Sequence, residues 1–301
     1  MATRVFIDGE AGTTGLQIRD RLAARDDVDL ISLPDETRKD RSARADAFDR
    51  ADVAILCLPD DAARAAVALA AGTRVIDAST AHRTASGWTY GMPELPGARD
   101  AIRDADRVAN VGCYATGSIA MIRPLVDRGC LLPDDPTVLT GVSGYTGGGK
   151  SMIAEMASAD APDFFLYATG QRHKHVPEIM AYGGLRRAPL FQPAVGRFAQ
   201  GMTVQLHLQG DLLPDGTDAA AIEAALRDAY AGDPFVSVVA PADRVDPQRL
   251  NGTNRMEIAV HGDGDRRITV VAVLDNLGKG ASGTAVQNLN LMTGVDQVTG
   301  L

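Results

Sequence analysis

The stretch Arg4-Val-Phe-Ile-Asp-Gly-Glu-Ala-Gly-Thr-Thr-Gly15 decides the fold of the first half of this chain. It opens with a short apolar run typical of a buried strand, and the segment 14–24 carries apolar residues at helical spacing. Three glycines with the spacing G-x-x-G-x-x-G allow backbone amides and a helix amino terminus to approach a pyrophosphate without interference from a Cβ atom. We therefore expect this turn to bind a dinucleotide through Gly9, Gly12, Thr13, Thr14 and Gly15.

Strands and helices continue to alternate after this turn. Apolar runs predict further strands at 28–33, 53–58, 74–77 and 107–110. This order of elements is typical of a parallel sheet that is covered by helices on both faces. The sequence therefore predicts an α/β, Rossmann-type domain over residues 1–113.

The pattern changes near residue 135. Alternation with a period of two predicts strands at 202–208, 255–260 and 267–274, the last two joined by a hairpin turn at 261–265. An amphipathic helix at 218–231 is expected to pack on their sheet. We predict a second, α+β substrate domain with a mixed or antiparallel sheet over residues 114–280. The segment 281–301 is expected to be a helix that completes the first domain.

Composition narrows the class of protein. The chain has 301 residues, 45% of them hydrophobic, and a net charge of -9, which argues against a broad nucleic-acid surface. It has neither a run of signal-peptide character nor an apolar stretch of membrane-spanning length. We therefore expect a cytoplasmic protein that acts on a small molecule, without a membrane or nucleic-acid partner.

One of the three cysteines is a candidate nucleophile. Cys113 lies where a predicted strand gives way to a predicted helix, and a helix amino terminus lowers the pKa of a thiol by favouring the thiolate. Its neighbours are a glycine and polar residues, whereas Cys57 lies inside an apolar run and Cys130 near a helix end. We expect Cys57 and Cys130 to be ordinary packed thiols, and no cysteine to be a metal ligand.

A thiolate nucleophile usually has a histidine near it in space. The segment Gln171-Arg-His-Lys-His-Val-Pro-Glu178 holds two imidazoles, two cations and a carboxylate within eight residues. By its charge alone it is equally typical of an exposed loop. As part of a site, it would supply a proton-transfer group and cations for an anionic substrate.

A second motif suggests a different class of protein. The segment Gly144-Tyr-Thr-Gly-Gly-Gly-Lys-Ser151 fits the phosphate-binding pattern G-x-x-x-x-G-K-[ST] of ATPases, and it lies between a predicted strand and a predicted helix. An apolar run that ends at Asp275 mimics the magnesium-binding strand of such enzymes. However, the motif lies where the sheet pattern changes, and the amino-terminal turn already carries a dinucleotide fingerprint. An ATPase is therefore the alternative from a different class, and a non-catalytic dinucleotide sensor is another.

The chain resembles the N-acetyl-gamma-glutamyl-phosphate reductases, in their shorter form, within the semialdehyde dehydrogenase group. The resemblance runs over nearly the whole length and rests on an ordered set of segments. They are the glycine turn Gly9 to Gly15, Tyr90-Gly-Met-Pro-Glu-Leu95, Gly112-Cys-Tyr-Ala-Thr116, His173-Lys-His-Val-Pro-Glu178, Asn276-Leu-Gly-Lys-Gly-Ala-Ser-Gly283 and Ala285-Val-Gln-Asn288. The ordered set is specific, whereas the glycine turn alone is not.

The resemblance implies reduction of an acyl phosphate, in the arginine pathway, through a thioester on Cys113. It implies that His173 is the acid/base, and His175 is the competing assignment. It also implies that the loop at Ser143 and Gly144 lines the substrate pocket, and that Arg83 binds an anionic part of the substrate. His175 and Glu178 complete the expected substrate-binding set.

The cofactor implied by the resemblance is NADPH. From the residues alone, Asp35 favours NAD by binding a ribose hydroxyl, whereas Ser32, Arg38 and Lys39 favour the 2′-phosphate of NADP. Further cofactor contacts are expected from Leu58, Pro59, Ser79 and Asn276. The close rival is another enzyme of the same architecture that acts on aspartate semialdehyde or a carrier-bound aminoadipate semialdehyde. We also expect a homo-oligomer, either a dimer or a tetramer.

Overall fold

The structure, a computed structural model, describes residues 2–262 and 266–301. The chain divides into two compact units: one comprises the residues up to Val111 together with Ala281–Leu301, and the other comprises Gly112–Gly280. The tip of the predicted hairpin turn, residues 263–265, lies outside the described residues. Cys113 belongs to the second unit, whereas the sequence analysis makes it the last residue of the first domain.

The first unit contains a six-stranded parallel sheet. Its strands are β1 (Thr3–Asp8), β2 (Val28–Ile31), β3 (Val53–Leu56), β4 (Arg74–Asp77), β5 (Thr89–Gly91) and β6 (Arg107–Asn110). They lie in the order β2-β1-β3-β4-β6-β5, and every neighbouring pair is parallel. The strand order reverses between β1 and β3, which is the switch point where doubly wound sheets bind ligands. The predicted Rossmann-type sheet is confirmed.

Helices cover both faces of this sheet. They are α1 (Thr13–Leu22), α2 (Arg41–Arg50), α3 (Asp60–Val67), α4 (Ala98–Asp104) and the carboxyl-terminal α9 (Gly283–Thr293). One core joins Ile7 and Ile55 to Leu22 of α1 and Leu289 of α9, and the core on the other face surrounds Phe48 of α2. Successive strand residues alternate between these two cores, so each strand is apolar throughout.

The second unit contains a seven-stranded sheet with the order β11-β12-β13-β10-β7-β9-β8. The strands are β7 (Val138–Gly144), β8 (Phe164–Leu166), β9 (Leu190–Gly196), β10 (Met202–Gln209), β11 (Val236–Val238), β12 (Met256–Gly262) and β13 (Arg267–Leu274). The pairs β7–β9 and β11–β12 are parallel, whereas the other neighbours are antiparallel. The predicted mixed sheet is confirmed, including the antiparallel pairing of β12 with β13.

Four α-helices lie among the described residues of the second unit. They are α5 (Cys113–Asp127), α6 (Gly149–Met156), α7 (Val176–Gly183) and α8 (Ala219–Ala229). Helices α5 and α8 pack on the sheet, and α7 packs on α5. Leu206 and Leu208 of β10 are buried, whereas the alternating Gln205 and His207 stay half-buried, as expected for a sheet with one fully covered face.

Two predicted strands end earlier than their apolar runs. Strands β2 and β3 end at Ile31 and Leu56, two residues before the predicted ends. Leu33 and Leu58 instead line a cavity beyond the carboxyl ends of the strands. These apolar residues therefore line the cavity and do not extend the strands.

The sequence also leaves some elements unpredicted. Strands β8 and β9 and helix α7 carry no clear period in the sequence, and Pro193 lies within β9. Within the described part of the chain, no helix is both long and apolar enough to cross a membrane.

Candidate active site

Cys113 is the first residue of α5, directly after the short link that follows β6. Gly112 caps the helix with an extended backbone and provides no side-chain acceptor for the first turn. The side chain of Cys113 is partly buried. Because the positive end of a helix dipole favours a nearby anion, this position stabilises the thiolate form of Cys113.

His173 is buried beside two tyrosines of the same unit. Its Nδ1 atom accepts a hydrogen bond of 3.1 Å from the backbone N–H of His175, so the proton of the neutral ring lies on Nε2. Nε2 lies 3.2 Å from the hydroxyl of Tyr167, and the ring of Tyr114 packs edge-on at 5.9 Å between centroids. The side chain is therefore held in one orientation with a defined tautomer.

Tyr167 interacts with both His173 and Cys113: its hydroxyl contacts the imidazole, and the charge of the thiolate acts on it. Burial, and then the negative charge of the Cys113 thiolate, raise the pKa of Tyr167 above that of an ordinary phenol. The same charge contributes to the raised pKa of Tyr114, where burial is again the main cause. Cys113, Tyr167 and His173 thus occupy one neighbourhood. Tyr167 is not predicted from the sequence, because a lone tyrosine outside a recognised motif carries no periodic signal.

His175 and Glu178 lie at the start of α7. The Nε2 atom of His175 is 3.9 Å from one carboxylate oxygen of Glu178, and the other oxygen accepts a hydrogen bond of 3.3 Å from the backbone N–H of Gly112. Glu178 is only 1% exposed. These contacts favour a supporting role beneath the Cys113 turn, whereas the sequence predicts a substrate contact for Glu178.

The loop after β7 does not have the conformation of a nucleotide-binding loop. The N–H groups of Gly144, Tyr145 and Thr146 donate to the carbonyls of Gly201, Phe198 and Ala199, at 2.8, 3.0 and 3.1 Å. Amides that are already bonded in this way cannot surround a phosphate.

The remaining features of this loop also differ from an ATPase. The buried hydroxyl of Ser143 donates to the carbonyl of Gly144 at 3.0 Å. The carboxylate of Asp275 is fully buried and accepts hydrogen bonds from backbone amides, so it does not face a metal site. The resemblance to a magnesium-binding strand is therefore limited to the sequence.

Asn276 belongs to the second unit, beside this loop. Its side-chain oxygen accepts from the N–H of Gly201 at 2.7 Å, and its amide donates to the hydroxyl of Thr146 at 3.2 Å. The structure therefore joins Asn276 to the loop of Ser143 and Gly144. Cofactor binding by Asn276 stays a prediction.

Arg83 holds the end of β6 within the first unit. Its buried guanidinium donates to the carbonyls of Asn110 at 2.9 Å and Val111 at 3.3 Å, and also to Ala78 at 3.3 Å. Val111 stands two residues before Cys113. These contacts give Arg83 a clear structural role, and its predicted contact with substrate stays untested.

The amino-terminal turn has the geometry required for close approach of a dinucleotide. Gly9 has φ of +91°, and a Cβ atom there would lie 2.4 Å from the carbonyl oxygen of Cys57. A Cβ atom at Gly15 would lie 2.6 Å from the carbonyl oxygen of Gly9. Gly12 caps α1 without a side-chain hydrogen bond, and Thr13 and Thr14 begin the helix. Only glycine fits at Gly9 and Gly15.

A cavity of about 300 Å³ lies beside this turn. Leu33 and Leu58 contribute apolar walls, and Arg38, Lys39 and Arg44 contribute three cations. Arg44 also pairs with the buried carboxylate of Asp8 at 2.6 Å. The cavity therefore suits a ligand with an apolar ring and an anionic group, as a nicotinamide dinucleotide has.

The other predicted cofactor residues lie around this edge of the sheet. Ser32 donates to the carboxylate of Glu10 at 3.1 Å, and Pro59 caps α3. Ser79 donates through its hydroxyl to the buried carboxylate of Asp77 at 2.7 Å. Asp35 is 87% exposed in its side chain and pairs with Arg38 at 3.3 Å. The lining of the cavity thus carries three cations, Arg38, Lys39 and Arg44, against two carboxylates, Asp8 and Glu10.

The remaining cysteines have environments that suppress reactivity. Burial, with the charges of Asp77 and Asp8, raises the pKa of the Cys57 thiol to about 12. Burial also raises the pKa of Cys130. Among the described residues, no cluster of histidine, cysteine and carboxylate side chains is suited to a metal ion.

Comparisons with known proteins agree with this geometry. A family model described as the NAD binding domain of semialdehyde dehydrogenase matches residues 4–105, and a second, described as the dimerisation domain of semialdehyde dehydrogenase, matches residues 113–276. Among solved structures, aspartate semialdehyde dehydrogenase II from Vibrio cholerae aligns with a TM-score of 0.77 at 17% identity, over 97% of this chain and 99% of that one. An aspartate semialdehyde dehydrogenase with NADP from Candida albicans aligns with a TM-score of 0.71 at 15% identity, over 97% and 99%. These likenesses concern the fold.

Sequence relatives are closer. The N-acetyl-gamma-glutamyl-phosphate reductases of Brucella ovis and Brucella canis are each 51% identical to this chain, over 98% of it and 100% of their own length. The chain therefore belongs to the semialdehyde dehydrogenase family and, within it, to the N-acetyl-gamma-glutamyl-phosphate reductases.

Proposed function

We propose that this protein reduces N-acetyl-gamma-glutamyl phosphate to N-acetylglutamate 5-semialdehyde and phosphate in arginine biosynthesis, with NADPH as the reductant. The observation that carries the proposal is the place of Cys113 as the first residue of α5, in a chain 51% identical to reductases of that name. A cysteine at this position has the nucleophilic character that an acyl phosphate requires.

The first step is formation of a thioester. The Sγ atom of Cys113 attacks the γ-carbonyl carbon, the bond from that carbon to the phosphate oxygen breaks, and phosphate leaves with the electron pair. The helix dipole of α5 supports this step because it favours the thiolate over the thiol. When held beside Gly9 and the cations Arg38 and Lys39, NADPH would supply a hydride for reduction of the thioester carbonyl.

The second step releases the aldehyde. Reduction leaves this carbon tetrahedral with an alkoxide oxygen, and the carbonyl re-forms as the carbon–sulfur bond breaks. The bonding pair stays on the Sγ atom of Cys113, and the departing sulfur takes up a proton that it returns when the thiolate re-forms for the next cycle. The proton on Nε2 of His173 is suited to this transfer, because Nδ1 is occupied as an acceptor and the ring is held in place. His175 is the competing acid/base, and its contact with Glu178 favours a supporting role.

The cations of the cavity beside Gly9 support NADPH over NADH. Arg38 and Lys39 line this cavity, and charge-assisted hydrogen bonds to a phosphate are roughly twice as strong as neutral ones. Asp35, the residue that would favour NAD, is exposed and paired with Arg38. We therefore assign the 2′-phosphate to Arg38 and Lys39, and keep Ser32, which contacts Glu10 of the cavity lining, as a further candidate.

We further propose that the protein is a cytoplasmic homo-oligomer. The match to a dimerisation domain supports assembly through the second unit. Its edge strand β8 exposes Phe164 and Leu166 by 53% and 51%, and the adjacent strand β9 exposes Leu190 by 53%. Large apolar side chains that are exposed together are typical of an interface, and a second copy of the chain would bury them.

The function itself is tested by substrate choice. We expect phosphate-dependent reduction of NADP with N-acetylglutamate 5-semialdehyde to exceed that with aspartate semialdehyde by about a hundredfold or more in kcat/KM, because a polar site rejects a substrate that leaves its groups unpaired. The assay follows absorbance of the reduced nicotinamide. ATP hydrolysis should be absent because the first three amides of the Gly144 loop, those of Gly144, Tyr145 and Thr146, are already bonded to carbonyls. Equal rates with the two aldehydes would contradict the proposed substrate.

Replacing the nucleophile tests the thioester route. We expect Cys113→Ser to lower kcat by about a thousandfold or more, since a hydroxyl at this position lacks the ionisation of a thiol. The Kd for NADPH, measured by fluorescence titration, should change less than about twofold. Cys57→Ser and Cys130→Ser serve as controls and should keep their activity. An equal loss in all three variants would show that the cysteines matter for folding alone.

The choice between the two histidines is tested in parallel. We expect His173→Asn to lower kcat by about a hundredfold to ten-thousandfold, the usual contribution of a general acid or base. His175→Asn should lower it much less, because this side chain acts through Glu178. The pH dependence of kcat should lose one limb in His173→Asn alone. A larger loss in His175→Asn would transfer the acid/base role to His175.

Cofactor preference is tested by removing two cations. We expect Arg38→Ala combined with Lys39→Ala to raise the KM for NADPH at least about tenfold, as loss of a charged hydrogen bond costs about 1.5–3 kcal/mol. The KM for NADH should change little, since NADH lacks the 2′-phosphate. Arg41→Ala is the matched control, because this exposed arginine is outside the residues that line the cavity. A parallel rise for both cofactors would refute the assignment.

A further inference from the structure

The turn from Asp275 to Gly280 contacts the cysteine through its backbone. It follows β13, and a π-helical turn over Gly278–Ser282 overlaps its end. A Cβ atom placed on Gly280 would lie 2.6 Å from the Cβ of Cys113 and 3.0 Å from its Cα. The backbone of Gly280 therefore lies directly against the side-chain base of the nucleophile, at a distance that only glycine permits.

The opposite side of this turn is equally close-packed. A Cβ atom on Gly278 would lie 2.2 Å from the carbonyl oxygen of Thr253. Between these two glycines, the side chain of Lys279 is fully buried, with its Nζ atom 5.2 Å from the ring centroid of Phe235. The turn thus fills the space between Cys113 and the segment at Thr253 without room to shift.

One carboxylate connects the turn to its surroundings. Asp275 is fully buried, and its Oδ2 atom accepts from the N–H of Gly252 at 2.7 Å and from the side-chain amide of Gln200. Its Oδ1 atom accepts from the N–H of Leu277 at 2.9 Å. Its backbone carbonyl accepts from the N–H of Gly280, also at 2.9 Å.

The Asp275 side chain therefore joins two other segments to the turn, and its backbone closes the turn onto Gly280. A buried carboxylate with several donors is costly to replace, because each donor would be left without its acceptor. The alternation of strand β13 does not require an aspartate at this point, since the fold needs only that the chain turn after Leu274.

We propose that Asp275 is a positioning residue for Cys113: its carboxylate fixes the turn that presses Gly280 against the nucleophile. The inference rests on the proposed role of Cys113. A nucleophile confined on one side keeps the sulfur aimed at the acyl carbon, and a displacement of about 1 Å can cost a hundredfold in rate. Asp275 acts through Gly280 and takes no part in bond making.

An asparagine at this position is a sharp test because it keeps the shape and removes the charge. In either orientation of its amide, the NH₂ group would face an N–H donor, either that of Gly252 or that of Leu277. The turn should therefore loosen without a change in side-chain volume. The Gly280→Ala variant tests the contact between the turn and Cys113 directly, since the added methyl group would lie 2.6 Å from the Cβ atom of Cys113.

The experiment measures the reactivity of Cys113 without turnover. Full-length wild type, Asp275→Asn, Gly280→Ala and the control Gly72→Ala are treated with iodoacetamide from pH 6 to pH 9, and the modified peptides are quantified by mass spectrometry. A Cβ atom at Gly72 would have nothing within 4 Å, so this control adds a methyl group without a contact. Cys130 and Cys57 serve as internal references.

We expect Asp275→Asn to increase the alkylation rate of Cys113 at least about threefold as the turn loosens, and Gly280→Ala to change it by a similar factor. The kcat of both variants should fall at least about tenfold. NADPH affinity, alkylation of Cys130 and the behaviour of Gly72→Ala should stay within about twofold of the wild type.

Alkylation of Cys113 within twofold of the wild type in both variants would overturn the proposal. A general loss of structure would be recognised by faster alkylation of the partly buried Cys57. In that case the Gly280→Ala variant, which keeps Asp275, decides the outcome. Alkylation needs no substrate, so the positioning role can be judged even if the substrate assignment fails.

Discussion

The abrupt change from strand β6 to helix α5 is the constraint on which the candidate site depends. Only two residues, Val111 and Gly112, lie between the end of the strand and Cys113. Arg83 holds the carbonyl of Val111, and Glu178 holds the N–H of Gly112. Each of these two backbone groups is bound by a buried charged side chain of its own unit, and Cys113 is the first residue of α5. Such groups persist in a protein interior only where they are well paired, so they define the backbone at Val111 and at Gly112 more strictly than apolar packing would.

Much of this arrangement is predictable from local sequence. The glycine turn, the parallel strands and Cys113 at a helix start all depend on neighbouring residues, and the structure has each of them. The early ends of β2 and β3 are harder to predict, because Leu33 and Leu58 are as apolar as the strand residues before them and differ only in facing a cavity. Tyr167 and Gly280 are missed for another reason. Each meets the site through a contact between distant parts of the chain, and such contacts leave no pattern in a short window of sequence.

The segment from Gly144 to Ser151 fits a phosphate-binding motif in sequence but lacks the backbone geometry that phosphate binding requires. Its spacing fits the phosphate-binding pattern of ATPases, and a strand and a helix flank it as that pattern requires. What a phosphate needs, however, is free N–H groups, and the first three amides of this loop are used by carbonyls between Phe198 and Gly201. The strand before the loop is also paired antiparallel to β10 on one side, unlike the strand of a nucleotide domain. Whether this loop can bind a phosphate therefore depends on its backbone hydrogen bonds, and a match to the sequence motif is not sufficient.

The relation between fold and substrate follows from the same reasoning. At 17% identity the Vibrio cholerae enzyme aligns over 97% of this chain, so the fold tolerates replacement of most of its side chains. A thioester route needs only a thiolate, a proton donor and a bound hydride source, and none of these distinguishes one acyl phosphate from another. Discrimination must then come from polar groups that meet the far end of the substrate. In this chain the segment from Gln171 to Glu178 alternates buried and exposed residues: His173 is oriented by its own backbone neighbour, while Arg172 and Lys174 are exposed cations on either side of it. Exposed positions of such a loop can change their charge while the buried imidazole stays fixed.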